Sequence, residues 1–183
     1  MSSTPHLVRL FLALWPCAVV RNQLTKLTQQ LAEDCSGRCI RPENLHLTLV
    51  FIGETEHSNI QKICRAATAI QSSPFNLTLD QVDCWKKAQA TVVGMSRYPA
   101  VLTTLVQDLQ HLLADLNIRY DAKHSFTPHV TLLRNVRQCK LPDSIAPISW
   151  PVTHWSLVQS QQTPTGSAYQ SLADWPLDAT DFQ

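Results

Sequence analysis

Glycine is scarce, with four in 183 residues. None of the four stands in a Gly-x-x-x-x-Gly-Lys phosphate loop or a Gly-x-Ser-x-Gly nucleophile elbow. Covalent chemistry through a nucleotidyl-lysine therefore has no visible platform. Charge is sparse as well. Asp, Glu, Lys and Arg make up 16% of the chain and the formal net charge is +1. That excludes a strongly basic surface of the kind that wraps a long duplex. A short basic patch gripping one phosphate stays open. No apolar run is long enough to span a bilayer. Arg9 followed by Leu10-Phe11-Leu12-Ala13-Leu14-Trp15 loosely mimics a signal peptide, but Pro16 interrupts it, no small-x-small site follows and Arg21 comes at once. A first β-strand and a cytoplasmic protein are the expectation. Six cysteines are too few to be a disulfide scaffold in a chain of this size. Cys35 and Cys39 have no second pair at metal-ligand spacing, which argues against structural zinc. Reduced, mostly buried thiols are expected.

Apolar residues are not in short supply. At 44% they can fill a substantial core, and 183 residues suit one domain, residues 1–183, of one body or two packed lobes. Leu7 to Trp15 reads as a buried strand. Pro16 then opens a helix to about Glu33, with Leu24, Leu27 and Leu31 on one side. Leu45 to Ile52 is a strand closed by Gly53, and a helix from Glu56 to Ala69, capped by Thr55, follows. Phe75 to Asp80 alternates as a half-exposed strand that continues toward Trp85, and Thr91 to Met95 is another strand. From Pro99 to Asn117 the leucines return to helical spacing. A polar loop, Asp121 to Ser125, leads to a strand from His129 to Arg134. Two more strands are expected near Trp150 to Gln159 and Ser167 to Trp175.

A weak internal duplication runs through this pattern. Each half has a helix and an apolar strand carrying His-x-Thr-x: His46-Leu47-Thr48-Leu49 and His129-Val130-Thr131-Leu132. Two such copies with apolar flanks are expected by chance in under about one chain in a hundred. Alternate strand residues face one way, so each imidazole shares a side with its threonine hydroxyl while Leu47, Leu49, Val130 and Leu132 anchor the strand. Two α+β lobes facing across a cleft would bring the motifs together. The chemistry suits phosphodiester hydrolysis. One imidazole takes a proton from water and the other gives one to the departing oxygen, both accessible near neutral pH. Thr48 and Thr131 can donate to non-bridging phosphate oxygens. Arg134 would be a phosphate clamp, yet its offset of five from His129 puts it on the opposite strand face unless the chain bulges or ends there. Arg41 and Lys123 are further cations near the motifs, and His124 is a loop histidine of the surface type.

Extended motifs sharpen this. Arg9-Leu10-Phe11-Leu12-Ala13-Leu14, then Pro42-Glu43-Asn44-Leu45-His46-Leu47-Thr48-Leu49-Val50-Phe51-Ile52-Gly53, and Phe126-Thr127-Pro128-His129-Val130-Thr131-Leu132-Leu133-Arg134 resemble the LigT-like branch of the two-histidine phosphoesterases. These are RNA 2′,3′-cyclic phosphodiesterases, also called 2′-5′ RNA ligases. The resemblance covers nearly the whole chain, though residues 71–120 match in pattern more than in identity. It implies an α+β fold of two pseudo-symmetric lobes, with antiparallel sheets lining a central cleft and helices outside. It also implies a phosphate site of His46, Thr48, His129, Thr131 and Arg134, with Phe11 and Phe51 flanking the terminal nucleotide. The reaction implied needs no metal or cofactor. It opens the cyclic phosphate to a 2′-phosphate, His46 protonating O3′ and His129 activating water, with ligation as the reverse type of reaction. The expected partner is RNA with a cyclic phosphate end, with no membrane, and the expected state is a monomer.

Three other readings compete. One keeps the site and takes a small cyclic nucleotide or a 2′-5′-linked oligonucleotide. A second is an RNA-end binding module without turnover. A third is a metal-dependent hydrolase, for which no acidic residue stands at ligand spacing. His6, His57, His111 and His154 lack an identifiable partner and read as structural or exposed. Trp85, Trp150, Trp155 and Trp175 read as core or rim packing with base stacking as the alternative.

Overall fold

A computed structural model describes residues 6–122, 125–164 and 166–178. The apolar run near the start is strand β1, Leu7–Leu14, buried almost continuously from Leu10. Burial of successive residues means that both faces are covered, and the strand also has neighbours on both edges. They are β3, Leu47–Glu56, and β9, His154–Thr163, both antiparallel to it. Strand β10, Gly166–Pro176, pairs outside β9. On the other side lie β7, Val130–Arg134, β6, Ala90–Gly94, and β5, Gln81–Trp85, and the two-residue β2, Arg38–Cys39, also pairs with β7. The order is β10-β9-β1-β3-β7-β6-β5. One pair, Leu47 with Val130, joins the two halves of this sheet.

Helix α1, Ala18–Asp34, buries Val20, Leu24, Leu27, Thr28 and Leu31, a stripe at helical spacing. It lies against β2, β7 and β8, the last of these Ile148–Val152. Helices α2, Ser58–Ala67, and α3, Ala100–Asp115, pack on each other and on β3. The expected pairing of each sequence half with one lobe is therefore corrected. The first helix, α1, covers the sheet half built around β7, because its apolar stripe packs on β7 and β8 rather than on the strand it follows. The fold remains α+β, with two antiparallel half-sheets related across the Leu47–Val130 junction.

Local differences have physical reasons. The strand expected from Phe75 toward Trp85 breaks at Asp80. Strand β4, Phe75–Leu79, joins β8 in a separate two-stranded sheet, while β5 joins β6. The Asp80 carboxylate accepts hydrogen bonds from the Ser96 hydroxyl and backbone N–H, which hold its pKa below the usual range and fix the corner. Helix α2 starts later than expected because β3 stays paired with β1 through Glu56. Thr55 does not cap it. Its hydroxyl accepts from Asn59 Nδ2 at 2.7 Å. Pro16 precedes the first turn of α1, with Cys17 at the cap. The cysteine expectation is also corrected. Cys35 and Cys139 meet at an isolated bridge and are disulfide-bonded, and Cys17 and Cys39 are exposed. Among the described residues no helix is long and apolar enough to cross a membrane.

Candidate active site

His46 and His129 each stand one residue before the pair that joins the half-sheets. An antiparallel pair has a local two-fold axis, and here that axis exchanges the two His-x-Thr motifs. Carried one residue further, the register sets His46 across from Thr131 and Thr48 across from His129. Leu47 and Val130 are fully buried on the helix side, while both imidazoles and both hydroxyls are half-buried on the other. The strands thus bring the four groups onto one face.

The two imidazoles are held alike. His46 Nδ1 donates to the Asn44 carbonyl at 2.7 Å, and His129 Nδ1 donates to the Thr127 carbonyl at 2.7 Å. A carbonyl only accepts, so Nδ1 carries the proton in both rings and Nε2 is left to do chemistry. His46 Nε2 lies 3.2 Å from the Thr48 hydroxyl, which donates to it in the neutral ring.

Arg134 reaches the same face through a bulge. Between the pairs Val92–Thr131 and Thr91–Leu133 the register skips Leu132. One extra residue shifts the alternation, so Leu132 and Leu133 are both buried and Arg134 returns to the side of His129 and Thr131. Strand β3 repeats the device. Its register with β1 skips Leu49, Leu49 and Val50 are both buried, and Phe51 returns to the side of His46. Phe51 and Arg134 are pseudo-symmetry mates, each five residues after its histidine.

The surroundings of the two rings differ. His46 is packed by Phe11, Trp15 and Tyr169, with ring centroids 5.0, 5.3 and 5.1 Å away. Burial, opposed by the Asn44 carbonyl and aided by the charges of His129 and Arg134, lowers its pKa from 6.5 to about 4. His129 lies against Trp85, centroids 4.3 Å apart, and burial and then the Arg134 guanidinium lower its pKa too, against the Thr127 carbonyl. Arg134 is thus felt by both imidazoles.

All seven residues singled out in the sequence line one cleft of about 440 Å³. The expectation for Phe11 needs revision. Its ring is 3% exposed and packs against both His46 and Tyr169, with centroids 5.0 and 5.1 Å away, which leaves little surface for a base. Phe51 is half-buried with the Arg9 guanidinium 5.0 Å from its centroid. Arg9, Arg38, Arg41 and Tyr169 also line the cleft, and among the described residues no Asp or Glu does. Sequence reasoning missed Arg9, Arg38 and Tyr169. Tyr169 arrives through the pairing of β10 with β9, which no local motif announces. Lys123 and His124 lie outside the described residues. Of the other tryptophans, Trp150 and Trp155 are buried core, as expected of packing residues.

Known proteins resemble this chain in sequence and in fold. Residues 14–94 match the family described as "LigT like Phosphoesterase". An Escherichia coli (strain K12) protein named "RNA 2′,3′-cyclic phosphodiesterase" is 29% identical over 170 residues, 92% of this chain and 96% of that one. The crystal structure of E. coli LigT complexed with 3′-AMP has a TM-score of 0.86 at 28% identity, covering 95% of this chain and 100% of that chain. The complex of E. coli LigT with phosphate has a TM-score of 0.80 at 30% identity, covering 97% and 100%. Fold and relatives together make this a phosphodiesterase enzyme. Within that class, the chain belongs to the LigT-like phosphoesterases of the two-histidine superfamily.

Proposed function

We propose that this enzyme hydrolyses RNA ends bearing a 2′,3′-cyclic phosphate and leaves a 2′-phosphate. The observation that carries the reading is the matched pair of imidazoles, each with Nδ1 tied to a carbonyl and Nε2 free for the cleft. The relatives' names supply the substrate class. The cyclic phosphate sits between the histidines. His129 Nε2 takes a proton from water as its oxygen attacks phosphorus. The P–O3′ bond breaks, and His46 Nε2–H gives its proton to O3′. The Thr48 and Thr131 hydroxyls and the Arg134 guanidinium hold the non-bridging oxygens where charge accumulates. Replacing water by a 5′-hydroxyl gives ligation.

In the free cleft His46 is hard to protonate, because burial and the Arg134 charge oppose the imidazolium. The phosphate anion supplies the opposite charge, so the acid is loaded as substrate binds. Neither half-sheet holds both histidines, so the whole chain acts as one bilobal domain. A monomer suffices, since every group named comes from one chain.

The test is a short RNA with a 2′,3′-cyclic phosphate end, incubated with excess chelator and followed by phosphorus NMR. Wild type should give a 2′-phosphate, and His46→Ala and His129→Ala should each lose at least about 10²-fold. Turnover surviving either substitution would misplace the site. Absence of turnover in wild type would favour another nucleotide or the RNA-end binding module, and loss to chelator alone would favour the metal-dependent reading.

A further inference from the structure

We propose that Trp85 is a positioning residue for His129, with Asp83 holding its indole: together they keep the imidazole turned so that Nε2 faces the cleft. This rests on the two-histidine reading above and adds to it the part of the chain that keeps the base in place.

The two imidazoles have unequal support. His46 has hydrogen bonds at both ring nitrogens, to the Asn44 carbonyl and the Thr48 hydroxyl, and three aromatic rings around it. His129 has its Nδ1 bond to the Thr127 carbonyl and, among the described residues, one aromatic neighbour, Trp85. Thr127 itself lies outside any strand or helix. A single hydrogen bond at one edge lets the ring swing about its Cβ–Cγ bond, where the torsional preference is broad, and a swing carries Nε2 away from the cleft. An indole centred 4.3 Å away and tilted 57° to the imidazole blocks that swing on one side.

Sheet register brings the indole there. Trp85 pairs with Ala90 and Ala90 with Arg134, while Asp83 pairs with Val92 and Val92 with Thr131. Directly paired residues share a face, so Asp83 and Trp85 stand on the cleft side of the sheet, two strands out from β7. Ala90 puts only a methyl group between Trp85 and Arg134, which leaves room for the indole to lean across β6. Asp83 sets the direction of the lean. Its Oδ2 accepts from Trp85 Nε1 at 2.9 Å and its Oδ1 from the Cys84 backbone N–H at 2.7 Å, so both carboxylate oxygens are tied. Strands β5 and β7 are both antiparallel to β6 and so run the same way. Asp83 precedes Trp85 as His129 precedes β7, and the bond therefore draws the indole from the row of Arg134 toward Thr131 and His129. Trp85 is not among the residues that line the cleft, so it supports the imidazole from outside the substrate's space. Burial, the Thr127 carbonyl and the Arg134 charge are what shift the His129 pKa, so Asp83 acts on the ring through the indole and not by its own charge.

The test compares wild type, Trp85→Leu, Trp85→Phe and Asp83→Ala by two readouts. One is kcat and KM on adenosine 2′,3′-cyclic phosphate. The other is NMR of the imidazole nitrogens without substrate, with His129 assigned by the signals missing in His129→Gln. Trp85→Leu should lower kcat by about 10–100-fold and leave KM within about two-fold, since the base is misplaced and the phosphate ligands are not. Its His129 signals should move from the Nδ1–H tautomer toward a mixture of the two, while those of His46 stay where they are. Trp85→Phe restores a flat ring and should recover most of kcat. Asp83→Ala changes an exposed side chain, so it keeps the test open if Trp85→Leu does not fold, and it should move both readouts the same way by less. Wild-type His129 signals in Trp85→Leu and Asp83→Ala would overturn the proposal and leave His129 as the base. A loss confined to KM would overturn it in favour of an indole that stacks on the substrate. If wild type turns over no cyclic phosphate while the His129 signals still move in the variants, the positioning stands and the cyclic phosphodiesterase reading falls.

Discussion

His46 should make the fold sensitive to acid in a defined window. Its pKa falls from an ordinary 6.5 to about 4 on folding, chiefly because burial penalises the imidazolium. Above pH 6.5 the ring is neutral in both states and contributes no pH dependence. Between 6.5 and about 4 the unfolded chain binds a proton that the folded chain does not, so stability is lost as pH falls through this window. Below about 4 both states are protonated and the loss is complete. At about 1.4 kcal/mol per pKa unit the full effect is about 3 kcal/mol. With a urea dependence of about 1–3 kcal/mol per molar, the denaturation midpoint should move by about 1–3 M. The assay is urea unfolding of wild type and His46→Gln at pH 7.5, 5.5 and 4 in buffers free of phosphate. Other groups titrate in both proteins, so the difference between the two curves isolates His46. Wild type should lose about 3 kcal/mol more than the variant on going from pH 7.5 to 4. Parallel curves would refute the reasoning, since they would mean that the ring is solvated in the folded state.

Two further outcomes follow from the same cluster. Arg134→Gln removes a cation that both imidazoles feel, so both should titrate higher by proton NMR. An unchanged titration would place the guanidinium outside the cluster, whatever happens to turnover. Thr131→Val keeps the β-branched strand shape and removes one hydroxyl aimed at the phosphate, and kcat should fall by about 10²–10³-fold if that donor acts at the charge that builds in the transition state. A loss confined to KM would assign the hydroxyl to binding of the ground state.

What could be read from the chain was what is local. The apolar periods of α1 and α3 and the two His-x-Thr strands lie within a few residues each, and the structure forms these elements within a residue or two of the expected ends, except that β3 runs four residues past Ile52. The long-range pairings were not legible. Arg38 meets Arg134, and Tyr169 meets His46, across large sequence separations set by strand order. No periodicity in either segment encodes its partner. The exchange of helices between half-sheets is of the same kind, since α1 has an apolar stripe but nothing in the stripe names the surface it covers.

The bulges fall between these cases. Strict alternation sends Arg134 away from the site, yet the chain carries a visible irregularity at that point. Leu132-Leu133 follows Thr131, and Leu49-Val50 follows Thr48, two adjacent apolar residues where alternation calls for one. All four are buried. A strand can bury two successive side chains on one side only by inserting a residue into its ladder, and the insertion turns everything after it over. The same step therefore has one cause and two results. It sinks a second leucine or valine into the core, and it brings the fifth residue after each histidine, Phe51 in one half and Arg134 in the other, back over the cleft. Because the device is repeated with different residues, the pseudo-two-fold axis that makes the imidazoles equivalent also makes the cleft unequal, with an aromatic ring beyond His46 and a cation beyond His129. That inequality gives the two histidines different surroundings despite matching backbone hydrogen bonds, and it supplies a direction in which one substrate can lie.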